Sequence, residues 1–134
     1  MTKDEILNMP PSKDMDMLIE EKIFKRHPCD KWYLLQMTVE GGIYMHGDSV
    51  CEYDNKCYME NNPPKYSTNI SAAWKVVVKM ENDDYWWEAE NVVPNSDPIA
   101  YYWKFMKNGN FFDAWEMSIS LAICRAALLI TLED

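Results

Sequence analysis

Glycine is scarce, with four in 134 residues, three of them within the stretch 41–47. That scarcity excludes collagen-like and glycine-rich flexible classes, and it leaves no room for a phosphate loop built on repeated glycines. No GxGxxG, P-loop, GxSxG or HExxH pattern occurs, so dinucleotide-binding, NTPase, α/β-hydrolase and zincin chemistry have no sequence support. The four cysteines include no CxxC pair, which removes the usual zinc-finger spacing. Long apolar runs are also missing. The longest apolar-rich segment, Ile119 to Leu132, is too short to span a bilayer and is interrupted by Arg125. No basic segment followed by an apolar stretch opens the chain at Met1-Thr2-Lys3-Asp4-Glu5, so a secretory leader is not expected.

Positive charge is in deficit. Thirteen Lys and Arg face 22 Asp and Glu, for a formal net charge of -9. A field of that sign repels nucleic acid and anionic lipid, so neither DNA, RNA nor membrane is an expected partner. A small phosphorylated ligand needs only a few local donors and stays open.

What is abundant is aromatic and apolar. Hydrophobic residues make up 48% of the chain, with six Trp and eight Tyr. This is enough for one ordinary core in one domain spanning 1–134. The expected location is the cytoplasm, with Cys29, Cys51, Cys57 and Cys124 as reduced thiols.

Local patterns give an α+β order. Thr2 and Glu5 form a capping box for a short helix that ends at Met9-Pro10-Pro11. Ser12 caps a second helix carrying Met15, Leu18, Ile19 and Ile23 on one stripe and ending near His27-Pro28. Residues 31–62 have the texture of small hairpins: a β-prone run Trp32 to Val39, then Ile43-Tyr44-Met45 and Val50 to Tyr53, punctuated by Gly41-Gly42 and Asp54-Asn55. Ser67, Thr68 or Asn69 caps a helix from Ile70 to Met80 whose apolar stripe is Ile70, Ala73, Trp74 and Val77. Tyr85 to Val93 is a strand. Ala100 to Lys107 and Asn110 to Trp115 flank Asn108-Gly109, the strongest hairpin signal present. Ser118 or Ser120 caps a last helix that is apolar nearly all round and must therefore be covered on two sides, by the domain or by a second copy of the chain.

Candidate site residues follow from these placements. His27, Cys29, His46, Cys51 and Cys57 are metal-ligand types at poor spacing, and reduced cysteines packed in small hairpins are the plainer reading. Cys124, inside an apolar helix, suits an inert thiol. Arg125, between apolar neighbours, needs either a carboxylate of the sheet or an anionic ligand. The turn Tyr66-Ser67-Thr68-Asn69 opens a helix, so it either caps that helix or holds a phosphate there. In Tyr85-Trp86-Trp87 and Tyr101-Tyr102-Trp103, neighbouring side chains face opposite sides of a strand. They are core or interface residues unless one sheet face is open, in which case they form a platform able to stack a base.

Three segments resemble the phage ABA sandwich domain family: Met1 to Leu7 with the helix through Glu20-Glu21-Lys22, Tyr66 to Trp74, and Leu121 to Leu129. The resemblance implies a sheet between helical layers in a protein carried by a bacteriophage. Where the family usually reads Ala-Pro before the last helix, this chain has Ile119-Ser120, and its segment 31–59 is longer, which suggests an inserted pair of hairpins. The expected fold is thus an antiparallel sheet in an α/β/α sandwich. By analogy with other small phage proteins, the expected role is a non-enzymatic, dimeric anti-defence protein of the host cytoplasm. It would need no cofactor and would sequester a nucleotide-derived immune signal, of cyclic dinucleotide or cyclic ADP-ribose type. Trp86 or Tyr102 would stack the base, and the 66–69 turn with Lys65, Lys75, Lys104 or Arg125 would meet phosphates. The alternatives are an acidic inhibitor of a host defence protein and a small enzyme that degrades the signal.

Overall fold

The computed structural model describes residues 1–30, 32–36, 43–46, 56–92 and 100–133. Helix α1 (Lys3–Asn8) begins where the Thr2 hydroxyl accepts from the Glu5 N–H. Helix α2 (Lys13–Leu18) begins in the same way, with Ser12 accepting from the Met15 N–H. The expected regular helix to His27 does not form. After Leu18 the coil widens into a π-turn (Ile19–Ile23) in which the Phe24 N–H reaches the Ile19 carbonyl at 3.2 Å. The wide turn brings two consecutive side chains, Ile19 and Glu20, into the interior. Lys25, at φ 58°, then reverses the chain.

His27 and Pro28 belong to a short strand instead. Strand β1 (His27–Cys29) pairs in parallel with β4 (Cys57–Met59). Strand β2 (Trp32–Gln36) pairs antiparallel with β3 (Ile43–His46), with an irregularity between Leu34 and Gln36. This is one hairpin of the expected pair. The runs placed at Val50 to Tyr53 and at both glycine and Asp54-Asn55 turns lie outside the described residues.

Helix α3 (Ile70–Asn82) is capped by Asn69, whose side chain accepts from the Ala72 N–H at 3.0 Å. Its buried stripe is Ala73, Val76, Val77 and Met80, whereas Ile70 and Trp74 are each a little under half exposed. The expected stripe was therefore rotated. Trp74 sits at the rim, its ring meeting Trp87 and Trp103 edge-on at 5.6 and 6.3 Å.

Strands β5 (Trp86–Val92), β6 (Ala100–Lys107) and β7 (Asn110–Glu116) form an antiparallel sheet in the order β5-β6-β7. Asn108 and Gly109, at φ 55° and 81°, make the tight turn the sequence predicts. Register then decides the faces. Trp87, Phe105 and Phe112 stand in one row across the sheet, and Ala89, Trp103 and Ala114 in the next. Both rows face the helices, and Trp87 stacks on Trp103 at 4.6 Å.

Helix α4 (Ile119–Ile130), capped by Ser118, lies against β6 and β7 on this face and against α1, α3 and the π-turn on its other sides. Every residue from Ser120 to Ile130 is buried, so the domain itself encloses the helix that the sequence left to be covered either way. The fold is mixed α+β. All described helices that contact the three-stranded sheet do so through one face.

Candidate functional site

The turn before α3 is anchored from below. Tyr66 is buried and its hydroxyl donates to the Glu20 carboxylate inside the π-turn. Arg26 bonds both oxygens of the same carboxylate, at 3.1 and 3.2 Å. A fully buried carboxylate without such partners would be costly, and Tyr66 and Arg26 together satisfy Glu20 where the wide turn carries it inside. Burial, reinforced by the carboxylate, pushes the Tyr66 phenol well above its ordinary range. Ser67 adds a second tie. Its N–H donates to Asp16 at 2.8 Å, and its hydroxyl accepts from the Ser12 N–H at 3.1 Å. Burial raises the Asp16 carboxyl pKa, against the opposing pull of the Ser67 N–H.

Above this anchored floor is a polar cleft of about 290 Å³. It is lined by Ser12, Lys13 and Asp16 from the start of α2, by Asn61, Asn62 and Pro63 from the loop after β4, and by Lys65 and Thr68. Two lysines, two asparagines, Thr68 and Ser12 thus line one opening in a chain of net charge -9, the Ser12 hydroxyl already donating to the Pro10 carbonyl at 3.1 Å. Donors of this kind suit phosphate and ribose hydroxyls.

The outward face of the three-stranded sheet is different in kind. Register places three rows there: Trp86, Met106 and Phe111; Glu88, Lys104 and Asp113; Glu90, Tyr102 and Trp115. Trp86 is 76% exposed, Phe111 62% and Trp115 52%. Lys104 pairs with Glu88 at 3.1 Å and lies 5.7 Å from the centre of the Phe111 ring. Tyr102 packs on Trp115 at 4.6 Å and donates to Asp113 at 2.9 Å. Partial burial and this carboxylate push its phenol pKa up to about 12. A shallow recess of about 270 Å³ lies between Trp86, Met106, Phe111 and the hairpin turn.

The residues expected to form one site therefore fall in three places. Thr68 and Lys65 line the cleft, with Tyr66 and Ser67 beneath it and engaged with Glu20, Asp16 and Ser12. Asn69 is exposed and caps α3. Trp86, Tyr102 and Lys104 share the outward sheet face. Arg125 is in neither. Its guanidinium donates to the Glu116 carboxylate and to the Met9 carbonyl, which is the carboxylate pairing the sequence allowed. Lys75 is exposed on α3 and does not line the cleft. The 66–69 turn and Lys65 are thus apart from the aromatics, and of the groups expected to meet phosphates only Lys104 shares the face of Trp86 and Tyr102.

Ser12, Lys13, Asn61 and Asn62 were missed, since their approach depends on contacts across some fifty residues of chain, such as Ser67 to Asp16. Phe111 and Trp115 were within reach: the two-residue turn alone puts them on the face of Met106 and Tyr102.

The thiol of Cys124 is pushed up by burial, which suits packing and not nucleophilic chemistry. Cys29, Cys57 and Cys124 form no disulfide. Among the described residues no group of three His, Cys, Asp or Glu side chains is placed to hold a metal ion. The His46 side chain and Cys51 lie outside the described residues. Nor is any described helix long and apolar enough to cross a membrane.

These features define an α+β domain with helices stacked on one face of an antiparallel sheet. The chain belongs to the phage ABA sandwich domain family, whose profile matches residues 17–128. Its fold is similar to that of a crystal structure of a phage protein from Bacillus cereus ATCC 14579, with a TM-score of 0.53 and 24% sequence identity over 90% of each chain. At that identity the likeness speaks for the fold alone. No curated protein matches the chain.

Proposed function

We propose that this phage-family chain is a non-enzymatic binding protein that sequesters a small nucleotide-derived signal of the host's immune response in the cytoplasm of the infected cell. The observation that carries this reading is the polar cleft, where Lys13, Lys65, Ser12, Thr68, Asn61 and Asn62 meet. Its lysines oppose the field of the rest of the chain, and its hydroxyls and amides match a sugar. Asp16 also lines it, with its carboxylate accepting from the Ser67 N–H at 2.8 Å. A volume of about 290 Å³ is at the lower end for small-ligand sites and accommodates a ribose phosphate portion, leaving a base to project outward. Sequestration requires affinity and stoichiometry, not turnover.

Calorimetry with a panel of cyclic dinucleotides and cyclic ADP-ribose isomers tests the proposal. One member of the panel should bind at micromolar concentration or below. The double variant Lys13→Glu/Lys65→Glu should weaken that binding by at least roughly tenfold, as the loss of two desolvated charge contacts implies. Heating the complex should release the ligand chemically intact, whereas a degrading enzyme would release product. Failure of the whole panel to bind would sink the reading.

A further inference from the structure

We infer that the open face of the three-stranded sheet is a docking surface for a basic protein segment, one that carries arginines among apolar side chains. This goes beyond the small-ligand reading and is independent of the cleft. Three large aromatics, Trp86, Phe111 and Trp115, stand exposed on one face that no described element covers. Apolar side chains gathered on one face mark an interaction surface, unlike scattered ones.

The charge on this face selects the partner. Glu88, Glu90 and Asp113 oppose Lys104 alone. Lys104 is already tied to Glu88, and Glu90 has no ion-pair partner among the described residues. A second copy would add three more carboxylates and only one more ammonium group to the contact, each copy bearing a net charge of -9. A guanidinium suits the surface better, because it stacks on a ring and meets a carboxylate at once. The face displays that geometry internally: Lys104 lies over the Phe111 ring while bonded to Glu88. The recess of about 270 Å³ beside Trp86 is large enough for one side chain of a partner.

The test is calorimetry of the full chain with three synthetic peptides: alternating arginine and leucine, alternating glutamate and leucine, and serine in place of both. The arginine peptide should bind on the order of tenfold or more tightly than the others, and more weakly as salt rises. Trp86→Ala, Trp115→Ala and Glu90→Lys should each weaken it by roughly fivefold or more. These side chains are exposed, so thermal melts should stay close to those of the unsubstituted chain. Lys13→Glu/Lys65→Glu should leave the peptide affinity unchanged. Equal binding of the glutamate peptide, or affinity indifferent to the two tryptophans, overturns the inference. So does a dimer in light scattering that Trp86→Ala returns to monomer, since a second copy would then be the occupant.

Discussion

Arg125 is the one charged residue in the enclosed helix, and its replacement isolates what a buried ion pair contributes here. Its side chain is 10% exposed and that of its partner Glu116 15%. One guanidinium nitrogen donates to Glu116 at the end of β7 and another to the carbonyl of Met9 at the end of α1. The group therefore joins three elements. Arg125→Met keeps much of the volume but leaves the Glu116 carboxylate uncompensated in a nearly dry site and removes the donor from Met9. Breaking a buried pair from one side costs about 3–5 kcal/mol. For a chain of this length that corresponds to a fall in Tm of roughly 10–20 °C. Arg125→Met/Glu116→Leu removes both charges, and most of the loss should return, leaving about 1 kcal/mol for the unpaired Met9 carbonyl. Urea titrations followed by tryptophan fluorescence give each free energy by linear extrapolation, and the cycle gives the coupling. The reasoning is refuted if Arg125→Met costs less than about 1 kcal/mol, or if the double variant is no more stable than the single one.

Leu128→Ala, at a fully packed position of α4, should cost about 2–5 kcal/mol by the same titration. Gly109→Ala should cost about 1–2 kcal/mol from its left-handed φ alone, because an added Cβ meets no atom within 4 Å. The raised pKa of Asp16 makes the folded state bind its proton more tightly than the unfolded chain. That contribution is complete below about pH 4 and is lost as pH rises through the raised value. Asp16→Asn keeps an acceptor for the Ser67 N–H, so its stability relative to the original chain should improve from acid to neutral pH; a flat difference between the two pH profiles would contradict this. Cys124 should resist alkylation at mildly alkaline pH until the protein is unfolded, read by mass spectrometry of the labelled peptide.

Much of the fold was legible because its signals are local. The caps at Thr2, Ser12 and Ser118 each sit three residues before the N–H they accept. The Asn108-Gly109 turn requires only two residues with positive φ. The burial of α4 follows from a helix with no polar side wide enough for water. What was not legible depends on distant partners. Nothing near Glu20 announces that Tyr66 will be opposite it, so the π-turn reads as plain helix. The parallel pairing of His27–Cys29 with Cys57–Met59 joins two strands too short to signal themselves. Alternation separated Trp86 from Trp87, but both faces of the strand are aromatic-rich. Which one the helices cover was settled only by where α4 and Trp74 lie.

If a basic segment occupies the open face, its middle row, Glu88, Lys104 and Asp113, is what disfavours a second copy there. Stacking two such faces would set three carboxylates and one ammonium group against the same set, and each approaching copy carries the full charge of -9. Salt should therefore act in opposite directions on two associations. As the screening length falls from about 10 Å at 0.1 M to about 3 Å at 1 M, attraction of a basic segment fades while repulsion between copies fades with it. The apolar contribution to both remains. A surface governed by its aromatics alone would show no such crossing, because peptide affinity and self-association would change together. The charged row thus makes the choice of partner an electrostatic matter, and the two tryptophans supply contact area to whichever partner the charge admits.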